Sequence, residues 1–260
     1  MSEQCVFSND NNIIISLIDN PKSSIFSNRD NHEVLFRKIN TYLINNNIIK
    51  NNIIDLGAWI GDNTIPWAKN INGIVYAIDP SKFNIDFIKQ MCKKNNITNV
   101  ITLKCPISNK IEIVSTNENI DHCSFVYNNP GTQGINKFVA YTLDSLYDQK
   151  SIENIGYIHL DVEGMEYKVL QGSENIINIY RPIVSFEQHL DLDDYNIILK
   201  YFIDKKYKVF LVDEILPGCR IDCRNSFAFP EEIFTIELIN NINTYIGRNI
   251  MINKEFICSF

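Results

Sequence analysis

Apolar and polar residues alternate along this chain in a way that predicts a parallel sheet with helices on both faces. Short apolar runs rich in β-branched residues predict strands at 52–57, 74–79, 100–104, 155–161, 182–189, 207–213 and 226–230. Helical spacing predicts helices at 63–70, 82–96, 164–180 and 192–205. The last two strands lack a helix between them, which indicates an antiparallel pair at one edge. We therefore expect a mostly parallel, seven-stranded α/β sheet with an antiparallel edge strand.

Three segments fall outside this alternation. Residues 1–50 contain the strand-like run IIISLI and helical spacing from about Asn31 to Asn45, and we expect them to cap the binding cleft. Residues 109–141 form an insertion with weak strands and the turn-rich NNPGTQG, long enough to be a lid. Residues 233–260 are predicted to be a largely helical extension. The main domain would then span residues 51–232.

Composition and net charge limit the classes of binding partner that this protein is expected to have. The 260 residues fit one large domain, and 45% hydrophobic and 21% charged residues are ordinary for a soluble protein. A net charge of −7 and a pI near 5.2 disfavour binding to nucleic acid phosphates or anionic lipid. No signal-like segment or apolar stretch of about 20 residues is present. We expect a cytoplasmic protein, in the host cytoplasm if a virus encodes it, with no nucleic acid or membrane partner; a homo-oligomer is possible.

The cysteines predict free thiols rather than disulfides or a metal centre. Seven cysteines, an odd number, are spread along the chain without CxxC motifs, as in proteins of reducing compartments. Cys219 and Cys223 have three residues between them and Asp222 beside them, but they lack a second pair of ligands in the sequence. We therefore predict no metal ligands.

The stretch NNIIDLGAWIGDNTIPWA, residues 51–68, predicts a nucleotide-like cofactor site. Gly57 ends a strand, where its missing side chain lets a ligand approach the turn, and Gly61 lets the next helix begin close to that ligand. Asp79 ends the following strand, where a carboxylate can accept hydrogen bonds from both ribose hydroxyls. Trp59 departs from the G-x-G-x-x-G pattern of nicotinamide sites and would crowd a pyrophosphate.

Further motifs resemble a known family. The segments IIDLGAWIGDNTIPWA, VYAIDPS, TLDSL, HLDVEGMEYKVLQGSENII and RPIVSFEQH are similar, in order and spacing over roughly residues 50–215, to the FkbM-type S-adenosylmethionine-dependent methyltransferases. The resemblance implies a Rossmann-like class I methyltransferase fold and O-methylation of a hydroxyl on a sugar, glycoconjugate or similar small molecule. S-adenosyl-L-methionine would be the cofactor and S-adenosyl-L-homocysteine the product. The cofactor-binding residues expected on these motifs are Asp55, Gly57, Ala58, Gly61, Asn63, Thr64, Asp79, Pro80, Ser81, Ser108 and Asp161.

The carboxyl ends of the fourth and fifth strands supply the candidate catalytic residues. His189 is our first choice as the base that removes the acceptor proton, because imidazole titrates near neutral pH; Glu187, on the same strand face, would fix its tautomer or bind the acceptor. Asp161 is the rival base. Glu163 would favour the start of the next helix. A divalent cation on this acidic cluster is possible but not favoured.

Two positions carry separate expectations. Where the family commonly has lysine two residues before the DVEG segment, this chain has His159, which would make the site pH-sensitive if the lysine acts on substrate. Asp144, in TLDSL, matches a family position and has a helix-capping interpretation as well.

Three alternatives remain open at this point. A ribose 2′-O-methyltransferase acting on RNA would normally need lysines and a basic stripe. A scaffold with the fold but without turnover would bind cofactor and transfer no methyl group. A nicotinamide oxidoreductase would prefer NAD to S-adenosylhomocysteine.

Overall fold

The computed structural model describes residues 5–8, 13–16, 32–116, 136–190, 195–216, 219, 221–247 and 251–253, which contain eight helices and twelve strands. The helices are α1 Val34–Asn45, α2 Thr64–Asn70, α3 Lys82–Lys94, α4 Leu143–Asp148, α5 Glu166–Gln171, α6 Glu174–Tyr180, α7 Tyr195–Asp204 and α8 Ile236–Ile246. The strands are β1 Cys5–Ser8, β2 Ile13–Ser16, β3 Asn52–Leu56, β4 Val75–Ile78, β5 Val100–Leu103, β6 Glu112–Thr116, β7 Asn136–Ala140, β8 Ile155–Leu160, β9 Ile183–His189, β10 Tyr207–Val212, β11 Cys223–Pro230 and β12 Met251–Asn253. No helix within these ranges is long and apolar enough to cross a bilayer.

Eight strands form the central sheet in the order β12-β10-β11-β9-β8-β3-β4-β5. The five strands from β9 to β5 are parallel, whereas β11 runs against both β9 and β10. The expected mostly parallel α/β sheet is confirmed. Two details differ from the expectation. Strand β12 adds an eighth strand at the edge, and the antiparallel strand β11 lies inside the sheet, between β10 and β9. Helix α7 carries the chain from β9 across to β10, and the return strand β11 fills the place between them.

Both faces of this sheet are covered, which is why its central strands are mostly apolar and do not alternate between apolar and polar residues. Strands β3 and β4 are buried at every position. Helices α4 to α7 cover one face, with Phe186 and Phe202 in its core. Helices α1, α2 and α8 cover the other, with Phe36, Trp67 and Tyr157 in its core. The polar residues of a possible site are consequently confined to the strand ends.

The segments predicted outside the alternation contain two small hairpins. Strands β1 and β2 pair with each other, and so do β6 and β7, which are the two arms of the 109–141 insertion. The turn NNPGTQG lies outside the described residues. The C-terminal segment holds helix α8 and then strand β12, which pairs with β10.

The single helix predicted at 164–180 is wrong in one respect, because two helices occupy it. Helix α5 ends at Gln171 and α6 begins at Glu174. A Cβ on Gly172 would lie 2.2 Å from the carbonyl oxygen of Ser108, so only glycine allows this close approach. The carboxylate of Asp144 then accepts hydrogen bonds from the amides of Asn175 and Ile176, at 2.9 and 3.1 Å, and caps α6.

Helix α1 receives its N-terminal cap from a distant part of the chain. Glu33, at the start of the helix, has φ 54° and makes no side-chain cap of its own. The carboxylate of Glu214, which follows β10, accepts hydrogen bonds from the amides of Leu35 at 3.1 Å and Phe36 at 3.2 Å. This contact joins the N-terminal segment to the β10–β11 connection.

Candidate active site

The turn after β3 is built around Gly57, which no other residue can replace without moving the backbone. Gly57 has φ +76°, and a Cβ there would lie 1.7 Å from the carbonyl oxygen of Asp161. The amides of Gly57 and Ala58 donate to the carbonyl of Ile78, at 3.0 and 3.2 Å. The turn is therefore fixed against the carboxyl ends of β4 and β8 at once.

Buried polar contacts stabilise the rest of this turn. The hydroxyl of Thr64 donates to Asp55 Oδ2, and both side chains are buried. Gly61, with φ +80°, donates its amide to the carbonyl of Ala58 at 2.7 Å. Asn63 precedes helix α2 and is also buried. These predicted cofactor residues thus shape the turn, and the Asp55–Thr64 contact fixes the helix start to the end of β3.

Asp79 lies at the end of β4, beside the glycine turn. Its Oδ2 accepts a hydrogen bond from the amide of Trp59 at 3.0 Å, and its Oδ1 accepts from the amide of Ser81 at 2.7 Å and from Asn84 Nδ2 at 3.1 Å. Trp59 has φ +43°, which turns its amide toward the carboxylate. The structure therefore brings Asp79 and the Gly57 turn together, as the sequence predicted.

The remaining predicted cofactor residues have other partners. Ser81 accepts a hydrogen bond from the amide of Asn84 and caps α3, and Pro80, half-buried, precedes it. Ser108 is fully buried, and its hydroxyl lies 3.3 Å from the side-chain oxygens of both Asn109 and Glu112. The contact predicted between Ser108 and an adenine stays a prediction.

Two carboxyl groups meet at the ends of β8 and β9. Asp161 and Glu187 are joined by a side-chain hydrogen bond. Burial, and then the charge of Glu187, raise the pKa of Asp161 well above its ordinary value. Burial likewise raises the pKa of Glu187, although its hydrogen bonds to Asp161 and Cys223 work in the opposite direction. The pair therefore holds a proton at a higher pH than isolated carboxylic acids do.

The turn after Asp161 uses a carboxylate that the sequence analysis missed. Glu163 is exposed at φ 53°, and the helix that follows begins only at Glu166. The buried carboxylate of Glu166 accepts hydrogen bonds from the amides of Val162 at 3.1 Å and Gly164 at 3.4 Å. Glu166, the second acid of the DVEGME motif, fixes the conformation of this turn.

The structure places His189 and His159 in different surroundings. Nδ1 of His189 lies 3.8 Å from Asp222 Oδ1, and the side chain is 28% exposed. His159 is 2% exposed; its Nδ1 lies 2.9 Å from the hydroxyl of Ser185, and its ring contacts those of Phe36 and Trp67. His159 is thus part of the core beneath the strand ends, and it contacts aromatic rings where the resemblance suggested a polar role.

Side chains from distant parts of the chain lie near Glu187, and no local sequence pattern predicts this group. Cys223 Sγ donates to Glu187 Oε1, and the sulfur atoms of Cys219 and Cys223 lie within 4.8 Å of each other. His32 Nε2 lies 3.7 Å from Cys219 Sγ. The contacts with Cys223 and then with His32 lower the pKa of Cys219 to about 5, and the contacts of His32 with Cys219 and Glu33 raise the pKa of His32 to about 9.

The strand order of the central sheet is that of the class I methyltransferase fold. Residues 55–209, more than half of the chain, match the sequence model described as the methyltransferase FkbM domain. The chain belongs to the FkbM methyltransferase family. This result confirms the resemblance inferred from the sequence motifs, and family membership supports methyl transfer rather than nicotinamide chemistry.

Comparison with solved structures gives distant likenesses. An FkbM methyltransferase from Methylobacillus flagellatus is 18% identical with a TM-score of 0.49; the match covers 68% of this chain and 43% of that one. An S-adenosylmethionine-dependent methyltransferase from Aquifex aeolicus is 15% identical with a TM-score of 0.43, covering 81% and 93%. A Streptococcus mutans protein solved in complex with S-adenosylhomocysteine is 12% identical with a TM-score of 0.43, covering 69% and 88%. A comparison with curated proteins finds no match.

Proposed function

We propose that this protein is an S-adenosylmethionine-dependent O-methyltransferase that acts on a hydroxyl of a sugar, glycoconjugate or similar small molecule. The observation that carries the proposal is the Asp161–Glu187 carboxyl pair at the ends of β8 and β9, where the backbone carbonyl of Asp161 lies against Gly57. A proton-accepting pair beside a cofactor turn is what transfer to an alcohol oxygen requires.

The Gly57 turn and Asp79 fit the cofactor. Three N–H donors orient the carboxylate of Asp79, which lies beside this turn. A carboxylate held in this way can accept hydrogen bonds from ribose hydroxyls. When bound, S-adenosylmethionine supplies a methyl group on a positively charged sulfur. The chain's own task is to hold the acceptor oxygen in line with that methyl group, and positioning of this kind accounts for much of the rate.

Asp161 is the base in this proposal, with Glu187 as the residue that shares its proton. A base works best when its pKa lies near the working pH, and burial together with the neighbouring carboxylate moves the pKa of Asp161 upward from its usual acidic range. The proton of the acceptor's hydroxyl group would pass to the Asp161 carboxylate. The acceptor oxygen would at the same time bond to the methyl carbon, whose bond to sulfur breaks. His189, our first choice from the sequence, becomes the rival base in this proposal, because its side chain lies near Asp222 rather than in the carboxyl pair.

The charge around the pair favours a neutral acceptor. The carboxyl group of Glu33 adds to the negative field that Glu187 and Asp161 create. This negative field repels phosphate-rich acceptors, whereas the carboxylate oxygens can accept hydrogen bonds from hydroxyl groups. We therefore propose a polyhydroxylated, uncharged acceptor moiety, in the cytoplasm, rather than RNA or a membrane surface.

The first test is titration calorimetry of the purified protein with S-adenosylhomocysteine and, separately, NAD. We expect binding of S-adenosylhomocysteine only, and a loss of about 1.5–3 kcal/mol in Asp79→Ala, the worth of hydrogen bonds to a charged group. Preference for NAD, or unchanged affinity in Asp79→Ala, would contradict the cofactor assignment.

The second test follows transfer of a labelled methyl group from S-adenosylmethionine to a panel of neutral sugars, sugar conjugates and RNA, with and without magnesium. We expect sugar acceptors to be methylated and Asp161→Asn to lose turnover while retaining cofactor binding. Asp148→Asn, which removes an exposed carboxylate, is the matched control. If His189→Gln loses turnover and Asp161→Asn retains it, the two residues exchange roles. A folded protein that binds cofactor but methylates nothing on the panel would favour a scaffold.

A further inference from the structure

Four side chains with metal-binding atoms meet at the edge of the site, beside Glu187. The ligand atoms of Glu187, Cys219 and Cys223 all lie within 4.8 Å of one another. His32 brings its Nε2 to 3.7 Å from Cys219 Sγ. His32, Cys219 and Cys223 have no part in the proposed methyl transfer, whereas Glu187, whose Oε1 faces Cys223, also belongs to the carboxyl pair.

We propose that His32, Glu187, Cys219 and Cys223 form a tetrahedral Zn²⁺ site. Zinc binds sulfur at about 2.3 Å and imidazole nitrogen at about 2.0–2.1 Å, so two such ligands on a tetrahedron are roughly 3.5 Å apart. The 3.7 Å between His32 Nε2 and Cys219 Sγ is close to that spacing. The ligand atoms of Glu187, Cys219 and Cys223 lie within 4.8 Å of one another, and zinc binding would draw these three and His32 Nε2 inward to bonding distance.

The surroundings of His32 match those of a metal-bound histidine. A histidine that binds a metal through one ring nitrogen usually directs the other to a carboxylate, which fixes its orientation. Here Nδ1 lies 3.8 Å from Glu33 Oε2, opposite the nitrogen that faces Cys219. Glu33 is held in turn by Asn225 Nδ2 at 2.9 Å and Arg37 Nη2 at 3.3 Å. A carboxylate that is held in place therefore lies within ion-pair distance of the second ring nitrogen.

The donor set selects the metal. Two sulfurs and an imidazole are soft or borderline ligands that suit zinc, whereas magnesium prefers oxygen ligands alone. Four ligands from the protein leave no open position, which is typical of structural rather than catalytic zinc. Binding would release protons, because both cysteines coordinate as thiolates.

The site would tie together three separate parts of the chain. His32 precedes α1, Glu187 lies on β9, and the two cysteines lie in and just before β11. Three of the four ligands lie outside residues 55–209, the part that matches the family. Zinc would therefore fasten the N-terminal segment and the β10–β11 connection to the carboxyl end of β9.

The test measures zinc directly and needs no methyl transfer. The full chain is purified with a phosphine reductant and without chelators, its zinc is measured by elemental analysis, and Co²⁺ is then exchanged for Zn²⁺. We expect about one zinc per chain, thiolate-to-cobalt charge-transfer absorption and the intense visible bands of tetrahedral cobalt. Cys219→Ser, Cys223→Ser and His32→Gln should each weaken Zn²⁺ binding by more than the roughly 10- to 100-fold that loss of an outer partner costs.

A matched control and a fold check keep the test decisive. Cys92→Ala removes a buried thiol on α3 and should leave the zinc content unchanged. Circular dichroism and calorimetry with S-adenosylhomocysteine show whether each variant is folded and whether the proposed function stands, independently of the metal. Absence of both zinc and cobalt uptake in folded, reduced protein would overturn the proposal. So would an octahedral cobalt spectrum, a Cys219–Cys223 disulfide in place of metal, or full zinc content in the Cys219→Ser and Cys223→Ser variants.

Discussion

Replacement of Gly57 by alanine should damage both stability and turnover, because the new Cβ meets backbone rather than a side chain. The Cβ would lie 1.7 Å from the carbonyl oxygen of Asp161, while real Cβ contacts are essentially never shorter than 3.0 Å. Asp161 must therefore move by about 1.3 Å relative to the turn. Left-handed backbone in a non-glycine residue costs about 1–2 kcal/mol, and overpacking about 1–3 kcal/mol, so we expect Gly57→Ala to lose about 2–5 kcal/mol of unfolding free energy.

Gly247→Ala separates the two contributions. Gly247 ends helix α8 with φ +84°, and a Cβ there has nothing within 4 Å. It should lose only the backbone part, about 1–2 kcal/mol. Urea denaturation of both variants measures the difference.

Turnover should follow the displacement of Asp161. A misplacement of about 1 Å can cost roughly 100-fold in rate, so Gly57→Ala should lose about that much methyl transfer while Gly247→Ala retains the wild-type rate. Unfolding free energies within about 0.5 kcal/mol of each other, together with equal turnover, would contradict this reasoning. The close approach of Gly57 to Asp161 would then contribute to neither stability nor catalysis.

Three further predictions concern stability. Because the pKa values of Asp161 and Glu187 are raised in the folded protein above their ordinary values of 3.8 and 4.5, the stability they contribute is present at low pH and declines as pH rises through the folded values. Asp161→Asn should therefore be more stable than wild type at neutral pH, by a margin that shrinks on acidification; denaturation as a function of pH checks this, and a margin that grows on acidification would contradict it. Arg181→Ala should lose about 2–4 kcal/mol, because Arg181 donates to two backbone carbonyls and to Glu232 and lies 4.4 Å over a tyrosine ring, yet S-adenosylhomocysteine affinity should be unchanged by calorimetry. Thr235→Ala removes the hydroxyl that accepts from the amide at 238 and should lose about 1 kcal/mol in thermal or urea unfolding; no measurable loss would mean that this cap is replaced by water.

Local patterns were enough to predict the strands and the glycine turn after β3. Buried parallel strands are continuous apolar runs, so β3, β4 and β8 were visible in sequence. The positions of Gly57 and Asp79 at two strand ends then followed, because parallel strands end at the same edge of a sheet. The strands and the positions of Gly57 and Asp79 depend on residues close together in sequence, so a local pattern is sufficient to predict them.

The contacts around Glu187 depend on residues far apart in sequence and could not be predicted in this way. Cys219 and Cys223 looked like an incomplete ligand set because His32 and Glu187 approach them only after the sheet has formed. The break between α5 and α6 has the same origin, since it follows from the approach of Ser108 to Gly172 rather than from a helix-breaking sequence alone.

The cap that Glu214 provides for α1 also sets an order of events during synthesis. The capped amides and the carboxylate are 179 residues apart, and at translation rates of roughly 5–20 residues per second the helix leaves the ribosome about 10–40 s before its cap exists. A helix of 12 residues is marginal alone in water. The cap of α1 therefore forms only after β10 and Glu214 have been made. A nascent chain that stops short of residue 214 leaves the first amides of α1 without this cap.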